Sequence, residues 1–152
     1  MRVAIRPCSV SELEGDPNLP TLLAEYADEC SIDGLPHPSA KVEVYKQLEA
    51  SGWLHSIAAY ADDQLVGFIF ILCSVIPHYG VHVATTESYF VAKDKRRTGA
   101  GVMLLYAAEK HAKEKGSPGL LICAPSGGAL ASVLQSAHGY VETNRAYFKR
   151  FS

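Results

Sequence analysis

The sequence predicts an α+β domain on a mixed sheet, on the basis of its length, its hydrophobic periodicity and its lack of linkers. The 152 residues fit one domain at ~100 to 200 residues per domain. Apolar side chains recur at helical spacing up to residue 50, alternate as in strands from residue 54 to 91, and then return to helical spacing. No repeat or low-complexity segment interrupts this order, so we expect one domain over residues 1–152.

The N-terminal third is predicted to hold one strand and two helices. Residues 3–6 form a short apolar run typical of a strand. Ser9 or Ser11 then offers an N-cap for a helical stretch. That stretch has apolar residues at i, i+1, i+4 and i+5, namely Leu22, Leu23, Tyr26 and Ala27. The Pro- and Gly-containing residues 31–39 end it, and a second helix is predicted over residues 40–50.

The rest of the chain is predicted to alternate between strands and helices. Strands are expected over residues 57–60, 65–74, 81–91 and 120–123, with turns at 62–64 and 77–80. Helices are expected over residues 101–115, ended by Gly116, and 129–137, ended by Gly139. A terminal pair of strands is expected over residues 140–142 and 146–149.

Charge is distributed unevenly along the chain, although the net charge is only −2. Residues 1–33 carry a net charge of −5, residues 34–92 carry −3 and residues 93–152 carry +6. The low net charge argues against nucleic acid as a partner, because phosphate binding requires a strongly basic surface. The split is compatible with two ligands of opposite sign, and equally with uneven scatter of surface charge.

The cysteines indicate neither a metal site nor a disulfide framework. They are Cys8, Cys30, Cys73 and Cys123. They include no Cys-x-x-Cys pair and have no histidine at ligand spacing. The first residues lack a signal-peptide core, and the most apolar run, residues 65–76, is shorter than the ~20 residues of a membrane-spanning helix. We therefore expect a soluble cytoplasmic protein with reduced thiols, no metal and no membrane partner.

Residues 89–102 carry most of the chemical information. A predicted strand there leads through the basic residues 93–98 into a helix that begins near Gly99 and Gly101. The first amides of a helix are unpaired and together carry about half a positive charge. Glycines let an anion approach those amides, and residues 99–104 include no acid. The pattern predicts a phosphate-binding site.

Less specific interpretations of this segment are also available. A lone Gly-x-Gly occurs in many turns, and a run of Lys and Arg is usually a solvated loop. Leu104 stands where a dinucleotide fingerprint has its third glycine, and no Gly-Lys-Ser/Thr follows as in a P-loop. The position of the segment, with predicted strands on both sides, favours the anion site.

The same segment resembles the signature of the GNAT family of acyl-CoA-dependent N-acyltransferases. Arg96 to Gly101 read Arg-Arg-Thr-Gly-Ala-Gly, which is similar to that family's Arg/Gln-x-x-Gly-x-Gly/Ala signature. His138-Gly139-Tyr140 resembles the Leu-Gly-Phe that ends the family's last helix. The resemblance implies the GNAT fold, a three-layer α/β arrangement with a central, mostly antiparallel twisted sheet and helices on both faces.

The resemblance also implies that acetyl-CoA binds along this segment as a co-substrate. The amides of residues 97–102 would hold the pyrophosphate. The backbone of residues 89–91 would pair with the pantetheine arm in a gap between the fourth and fifth strands. The implied cofactor-binding residues are Tyr89, Phe90, Val91, Arg96, Arg97, Thr98, Gly99, Ala100, Gly101 and Val102.

The reaction implied is direct attack of a primary amine on the thioester of acetyl-CoA. An ammonium ion with a pKa of ~10.4 must first lose a proton to a base. Glu87 is the candidate for that base, and a surface glutamate is the alternative interpretation. Regular alternation places Glu87 on the same face as Tyr89 and Val91, unless a bulge changes the face.

The general acid that protonates the leaving thiolate is less well defined. Gln135 stands where many family members have a tyrosine, and Gly128 stands where an asparagine is frequent. The candidate substitutes are Tyr89, Ser132, Ser136 and Tyr147. A thiol with a pKa of ~8.5 is also a tolerable leaving group without an acid.

The acceptor is expected to be a cationic amine, on a small molecule or a protein. In this fold the acidic residues 1–33 contribute helices beside the acceptor cleft. Tyr26, Tyr45 and Tyr79 are candidates for its entrance or for core packing. A homodimer is an alternative to a monomer. Two other functions stay open, namely a non-catalytic acyl-CoA-binding or regulatory protein of this fold and an unrelated nucleotide- or phosphate-binding module.

Overall fold

Five strands form one mixed sheet in the order β1-β2-β3-β4-β5. A computed structural model of the chain describes residues 1–39 and 41–152. The strands are β1 (Val3–Cys8), β2 (Leu54–Ala61), β3 (Gln64–Ile76), β4 (Val81–Val91) and β5 (Leu120–Leu121). The first three neighbouring pairs are antiparallel and β4 pairs with β5 in parallel, so the predicted mixed, mostly antiparallel sheet is confirmed.

In the described residues, five α-helices and one 3₁₀ helix connect and cover the strands. The helices are α1 (Val10–Glu14), α2 (Leu19–Cys30), α3 (Val42–Ala50), α4 (Ala100–Glu114) and α5 (Ala129–Ala137). The 3₁₀ helix, called the basic turn below, spans Lys93–Thr98. The predicted second helix therefore begins at Val42, and Ala40, where its start was expected, lies outside the described residues.

Separate hydrophobic clusters fill the two faces of the sheet. On one face the small side chains of α4 allow its backbone to lie close to the sheet, where Ala100, Leu104 and Ala108 are fully buried against Ile69 and Ile71. On the other face Leu13 of α1 and Leu22 of α2 cover Phe68 and Phe90. Helices thus lie on both faces, as the family resemblance implied.

Local sequence signals explain where several elements begin and end. Ser9 caps α1 and forms a capping box with Glu12. Asp62 and Asp63 both have positive φ, at 48° and 66°, as a two-residue hairpin turn between β2 and β3 requires. Gly116, with φ of 78°, ends α4 as predicted, and its N–H donates to the Lys113 carbonyl.

The predicted terminal strands at residues 140–142 and 146–149 do not form. Residues 139–152 contain neither helix nor strand, and Val141, Tyr147 and Phe151 are more than four-fifths exposed. The alternating pattern favours extended backbone, but a strand also requires a neighbouring ladder of hydrogen bonds. In the described residues the sheet ends at β5, which has only two residues, so the ladder does not extend to this segment.

Metal sites and membrane spans were also expected to be absent. Residues 1–39 and 41–152 contain no group of three or more His, Cys, Asp or Glu side chains placed to hold a metal ion. In the same residues, no helix has the length and apolar character needed to cross a membrane.

Two histidine rings are stacked between the sheet and α4. His55 of β2 and His111 of α4 have ring centroids 3.8 Å apart and planes inclined by 7°. Burial lowers the pKa of both groups, with a further contribution from Lys115, and the pKa of His111 falls to about 4. Glu49 and Glu114 act in the opposite direction but do not outweigh burial.

We expect this pair to make folding sensitive to mild acid. The unfolded chain takes up protons as the pH falls through 6.5, whereas the pKa of both folded histidines is lower and that of His111 is about 4. Stability is therefore fully present above pH 6.5 and is lost progressively as the pH falls toward 4. Urea unfolding across this range measures the loss, and His111→Phe, which keeps a stacked ring, should show a shallower slope. Equal slopes would contradict the role of the pair.

Candidate active site

Strands β4 and β5 pair at one end and separate at the other. Ala84 pairs with Leu120 and Thr85 with Leu121. Beyond Leu121 the chain leaves β4, and the N–H of Cys123 donates to Oγ1 of Thr86 at 3.2 Å. Within residues 1–39 and 41–152, no strand pairs with residues 87–91 on this side of β4. The sheet therefore has an open edge along the last part of β4.

A buried serine fixes the closed end of this gap. The N–H of Ala84 donates to Oγ of Ser117 at 2.9 Å, and Oγ of Ser117 donates to the carbonyl of Gly119 at 2.6 Å. Ser117 is 9% exposed, so both bonds are shielded from water. Ser117 could not be singled out from the sequence, because a serine after a helix-ending glycine is ordinary loop composition.

Alternation along β4 determines which backbone groups face the open edge. The N–H of Ala92 donates to Val66 beside β3, so by alternation the backbone of Phe90 also faces β3. Tyr89 and Val91 then present their N–H and C=O groups to the gap. The carbonyl of Val91 accepts a hydrogen bond from Nε of Arg96 at 3.0 Å. Of the three residues implied to pair with pantetheine, two face the gap and Phe90 does not.

Glu87 lies in a β-bulge, and this overturns the expected face. Phe70 pairs with Ser88 and Ile71 with Thr86, so Glu87 is the extra residue of β4. Tyr89 packs with the α4 cluster, whereas Glu87 lines a cavity under α1, α2 and α3. The expectation that Glu87 shares a face with Tyr89 and Val91 was wrong, because the inserted residue reverses the alternation.

One oxygen of the Glu87 carboxylate is bound and the other has no partner. The hydroxyl of Tyr45, on α3, donates to Oε1 of Glu87 at 2.7 Å. Burial and the bond to Glu87 raise the pKa of Tyr45, so its proton stays on the phenol. Oε2 is buried and has no hydrogen-bond partner in the described part of the chain. A buried carboxylate oxygen without a partner is costly, and a ligand or water that donates to it removes that cost.

A cavity of about 270 Å³ opens in front of this carboxylate. Its walls are mostly apolar and aromatic. The main wall residues are Leu13, Leu23, Tyr26, Tyr45, Phe68 and Phe70. Tyr26 and Tyr45 were named from the sequence as candidates for this region, and both line it. Tyr79, the third, is 68% exposed and is not part of the wall.

A helix start with unpaired amides lies beyond the open edge of β4. Gly99 has φ of 89° and precedes the first turn of α4, which contains no acidic residue. The N–H groups of Gly101 and Val102 have no acceptor inside the helix because they belong to its first turn. The N–H of Ala100 meets Oγ1 of Thr98 at 3.3 Å. These groups have the geometry of an anion site at a helix N-terminus.

Tyr89 connects β4 to this helix start. Its hydroxyl donates a short hydrogen bond to the carbonyl of Gly101, and burial raises the pKa of Tyr89 to about 12. The phenol therefore lies on the opposite face of the sheet from Glu87. Tyr147, another of the four candidates for the general acid, is 87% exposed and does not line the cavity. The structure does not bring either candidate to Glu87, and their catalytic roles stay predictions.

The side chain of Arg96 is fixed by contacts with neighbouring residues, whereas Arg97 is exposed. The guanidinium of Arg96 contacts both carboxylate oxygens of Glu29, at 2.9 and 2.8 Å, and lies over the ring of Phe90. Among residues 1–39 and 41–152, no acid lies within ion-pair distance of Arg97. Arg96 thus ties the basic turn to α2, which the sequence did not indicate, and Arg97 presents its charge to solvent.

Comparisons with known proteins agree with this geometry. The model of the acetyltransferase (GNAT) family matches residues 19–140. No curated protein sequence matches the chain. Among solved structures, the aminoglycoside acetyltransferase AAC(6')-Iy, bound to the bisubstrate analogue CoA-S-monomethyl-acetylneamine, superposes with a TM-score of 0.75 at 21% identity, covering 100% of this chain and 99% of that one.

Two further structures extend the comparison. A ribosomal-protein-alanine N-acetyltransferase from Brucella melitensis biovar Abortus 2308 has a TM-score of 0.73 at 20% identity, covering 99% of this chain and 100% of that one. A transcriptional regulator from Bacillus halodurans C-125 has a TM-score of 0.70 at 22% identity, covering 97% and 100%. Because all are below 25% identity, these likenesses establish the fold.

The family match covers most of the chain, so this protein belongs to the acetyltransferase (GNAT) family. It is accordingly an N-acetyltransferase, and the acetyl donor of that family is acetyl-CoA. The family resemblance stated from the motif at Arg96 to Gly101 is confirmed.

We expect Glu29→Gln to weaken acetyl-CoA binding several-fold, because Arg96 and the basic turn lose their tie to α2. The pair is partly exposed, so the loss of folding free energy should stay below about 1 kcal/mol. Isothermal titration and urea unfolding measure the two effects. Asp28→Asn is the matched control, since Asp28 is exposed on the same helix and forms no ion pair with the described residues. An equal loss of affinity in both variants would indicate a general charge effect instead.

Proposed function

We propose that this enzyme transfers the acetyl group of acetyl-CoA directly to a primary amine bound in the cavity beside Glu87. The proposal rests on two structural features that lie next to each other at the bulge of β4. The open edge that can hold an extended thioester ends at the bulge, and the bulge places Glu87, whose Oε2 has no hydrogen-bond partner among the described residues, in the wall of the cavity. Donor and acceptor can therefore meet at Glu87 from opposite sides of the strand.

The donor would lie along the gap, with its phosphates at the start of α4. The N–H groups of Tyr89 and Val91 are placed to bind the amide-bearing pantetheine arm as a neighbouring strand would. The amides of Ala100, Gly101 and Val102 would bind the pyrophosphate, with Arg97 supplying a mobile positive charge. Arg96 acts indirectly in this proposal, since Glu29 and the Val91 carbonyl already occupy its guanidinium.

Glu87 would act as the general base for the amine. Oε2 accepts a proton from the ammonium, directly or through one water, while the Tyr45 hydroxyl holds Oε1 in place. The neutral nitrogen then forms a bond to the thioester carbonyl carbon, and the carbon–sulfur bond breaks to release coenzyme A. The nitrogen loses a second proton as the amide forms, and this proton balances the one taken up by the leaving sulfur. Glu87 passes the proton that it gained to solvent, so the net products are the amide, the thiol of coenzyme A and one proton.

The proposal does not require a side chain as general acid. Gln135 of α5 replaces the tyrosine of many family members, and the hydroxyl of Tyr89 is already bound to the Gly101 carbonyl. A thiol of ordinary acidity, with a pKa of ~8.5, leaves as a thiolate without assistance near neutral pH.

Glu87→Gln tests the general base. The amide oxygen can still accept the Tyr45 hydrogen bond, but it cannot take a proton, so kcat should fall by ~10² or more. The Kd of acetyl-CoA should stay unchanged, because Glu87 faces the acceptor cavity. Steady-state kinetics across pH, together with isothermal titration of acetyl-CoA, measure both. A variant that retains the wild-type pH–rate profile would exclude Glu87 as the base.

Val102→Glu tests the anion site at the start of α4. Val102 is 38% exposed in the first turn, so the new carboxylate would lie beside the unpaired amides without disturbing the core. It should weaken acetyl-CoA binding about tenfold or more by like-charge repulsion. Folding should not suffer, because an acid in the first turn favours a helix. Val102→Gln is the control of the same shape, and equal affinities for the two variants would refute the site.

A non-catalytic acyl-CoA-binding protein is the second candidate function. The observation in its favour is the absence of a tyrosine at Gln135 in α5. Isothermal titration with acetyl-CoA, followed by a thiol-release assay with a panel of amines, separates the two. A binder takes up acetyl-CoA without releasing coenzyme A in the presence of any amine.

A further inference from the structure

The acidic surplus of residues 1–33 does not surround the acceptor cavity. Three of the seven carboxylates are paired with basic side chains away from the cavity. Glu12 pairs with Arg6 at 2.9 Å, Glu29 with Arg96 at 2.8 Å and Asp33 with Arg150 at 3.4 Å. Asp16, Glu25 and Asp28 do not line the cavity either, so the segment's net charge gives no reason to expect a polycationic acceptor.

Two carboxylates line the cavity itself, and only one is available to a ligand. Glu14 forms an ion pair with Lys46 at 2.8 Å. Glu87 has no basic partner among residues 1–39 and 41–152, and its Oε2 is buried and unbound. The cavity therefore offers a counter-charge for one ammonium group. A second ammonium would be desolvated there without an anion beside it.

The walls favour an apolar or aromatic group next to that ammonium. Tyr45 and Phe70 meet edge to face with ring centroids 5.4 Å apart, and Tyr26 meets Phe68 in the same way at 6.0 Å. Leu23 completes this side from α2. Such a surface contributes apolar contact and offers few partners for the hydroxyls of a sugar ring.

The size of the cavity restricts the acceptor further. Its volume of about 270 Å³ lies just below the ~300 to 1,000 Å³ typical of ligand pockets. The space therefore suits one small amine, and a larger acceptor would leave most of its surface outside the cavity.

From charge, wall chemistry and size, we infer that the acceptor is a small primary amine with a single positive charge on an apolar, preferably aromatic, skeleton. The inference rests on the proposed function and specifies its substrate class. The ammonium donates to Oε2 of Glu87, and the ring packs between Tyr26, Phe70 and Leu23. Polyamines and aminoglycosides are poor acceptors because each brings additional ammonium groups that find no carboxylate.

The test compares three amines with the wild-type enzyme. 2-Phenylethylamine, 1,5-diaminopentane and neamine are assayed for coenzyme A release with saturating acetyl-CoA. We expect kcat/KM for 2-phenylethylamine to exceed that of the other two by about tenfold or more. Equal or higher values for the diamine or neamine would overturn the inference.

Equilibrium binding separates this inference from the proposed function. The same amines are titrated into protein saturated with coenzyme A. If none of them is acetylated, the proposed function fails for this class, and the inference is judged by binding alone. A preference for 2-phenylethylamine of about tenfold supports it, whereas no binding, or a preference for the diamine, overturns it.

A variant that adds a negative charge to the cavity wall should shift the preference from the monoamine toward the diamine. Leu23→Glu adds a second carboxylate to the wall, which should raise kcat/KM for 1,5-diaminopentane and lower it for 2-phenylethylamine. Leu23→Gln adds polarity without charge and should lower the value for 2-phenylethylamine only. If both variants treat the diamine alike, charge pairing does not select the acceptor. The comparison of the three amines with the wild-type enzyme does not depend on whether these variants fold.

Discussion

The hydrogen-bond register between β3 and β4 slips by one residue at Glu87, and the geometry of the site follows from that slip. On one side of the bulge β4 is tied to β5 through Thr85 and Leu121. On the other side the strand bends away, and its outer backbone groups lose their neighbour. The same residue that interrupts the ladder carries the carboxylate. The bulge therefore both opens the strand edge and places the Glu87 carboxylate.

An ion pair connects the helix over the cavity to the basic turn. Glu29 of α2, whose neighbouring turn lines the cavity, holds Arg96 of the basic turn with both carboxylate oxygens. Arg96 in turn donates to the carbonyl of Val91. One acidic side chain thus fixes the spacing between α2 and the basic turn that precedes α4. This use explains part of the charge asymmetry along the chain, since acids of the N-terminal segment meet bases of the C-terminal segment.

Much of the fold was predictable because local chemistry determines it. Asp62 and Asp63 tolerate the left-handed backbone of the hairpin turn, and Gly116 ends α4. The acid-free helix start after Gly99 was predictable for the same reason, since both features are sequence properties. The position of the bulge was not, because residues 81–91 contain neither Gly nor Pro to mark it. The terminal strands were predicted wrongly because their formation depends on a neighbouring strand, which no local pattern reports.

Glu87 is the extra residue of a strand that is otherwise regularly paired, so the strand can form without it. Thr86 and Ser88 already face consecutive residues of β3, Ile71 and Phe70, so the remainder of β4 would stay in register without the residue between them. Removing Glu87 would leave every other β4 side chain on its present face and would straighten the strand. The gain or loss of a single codon is thus sufficient to add or remove this carboxylate in the scaffold.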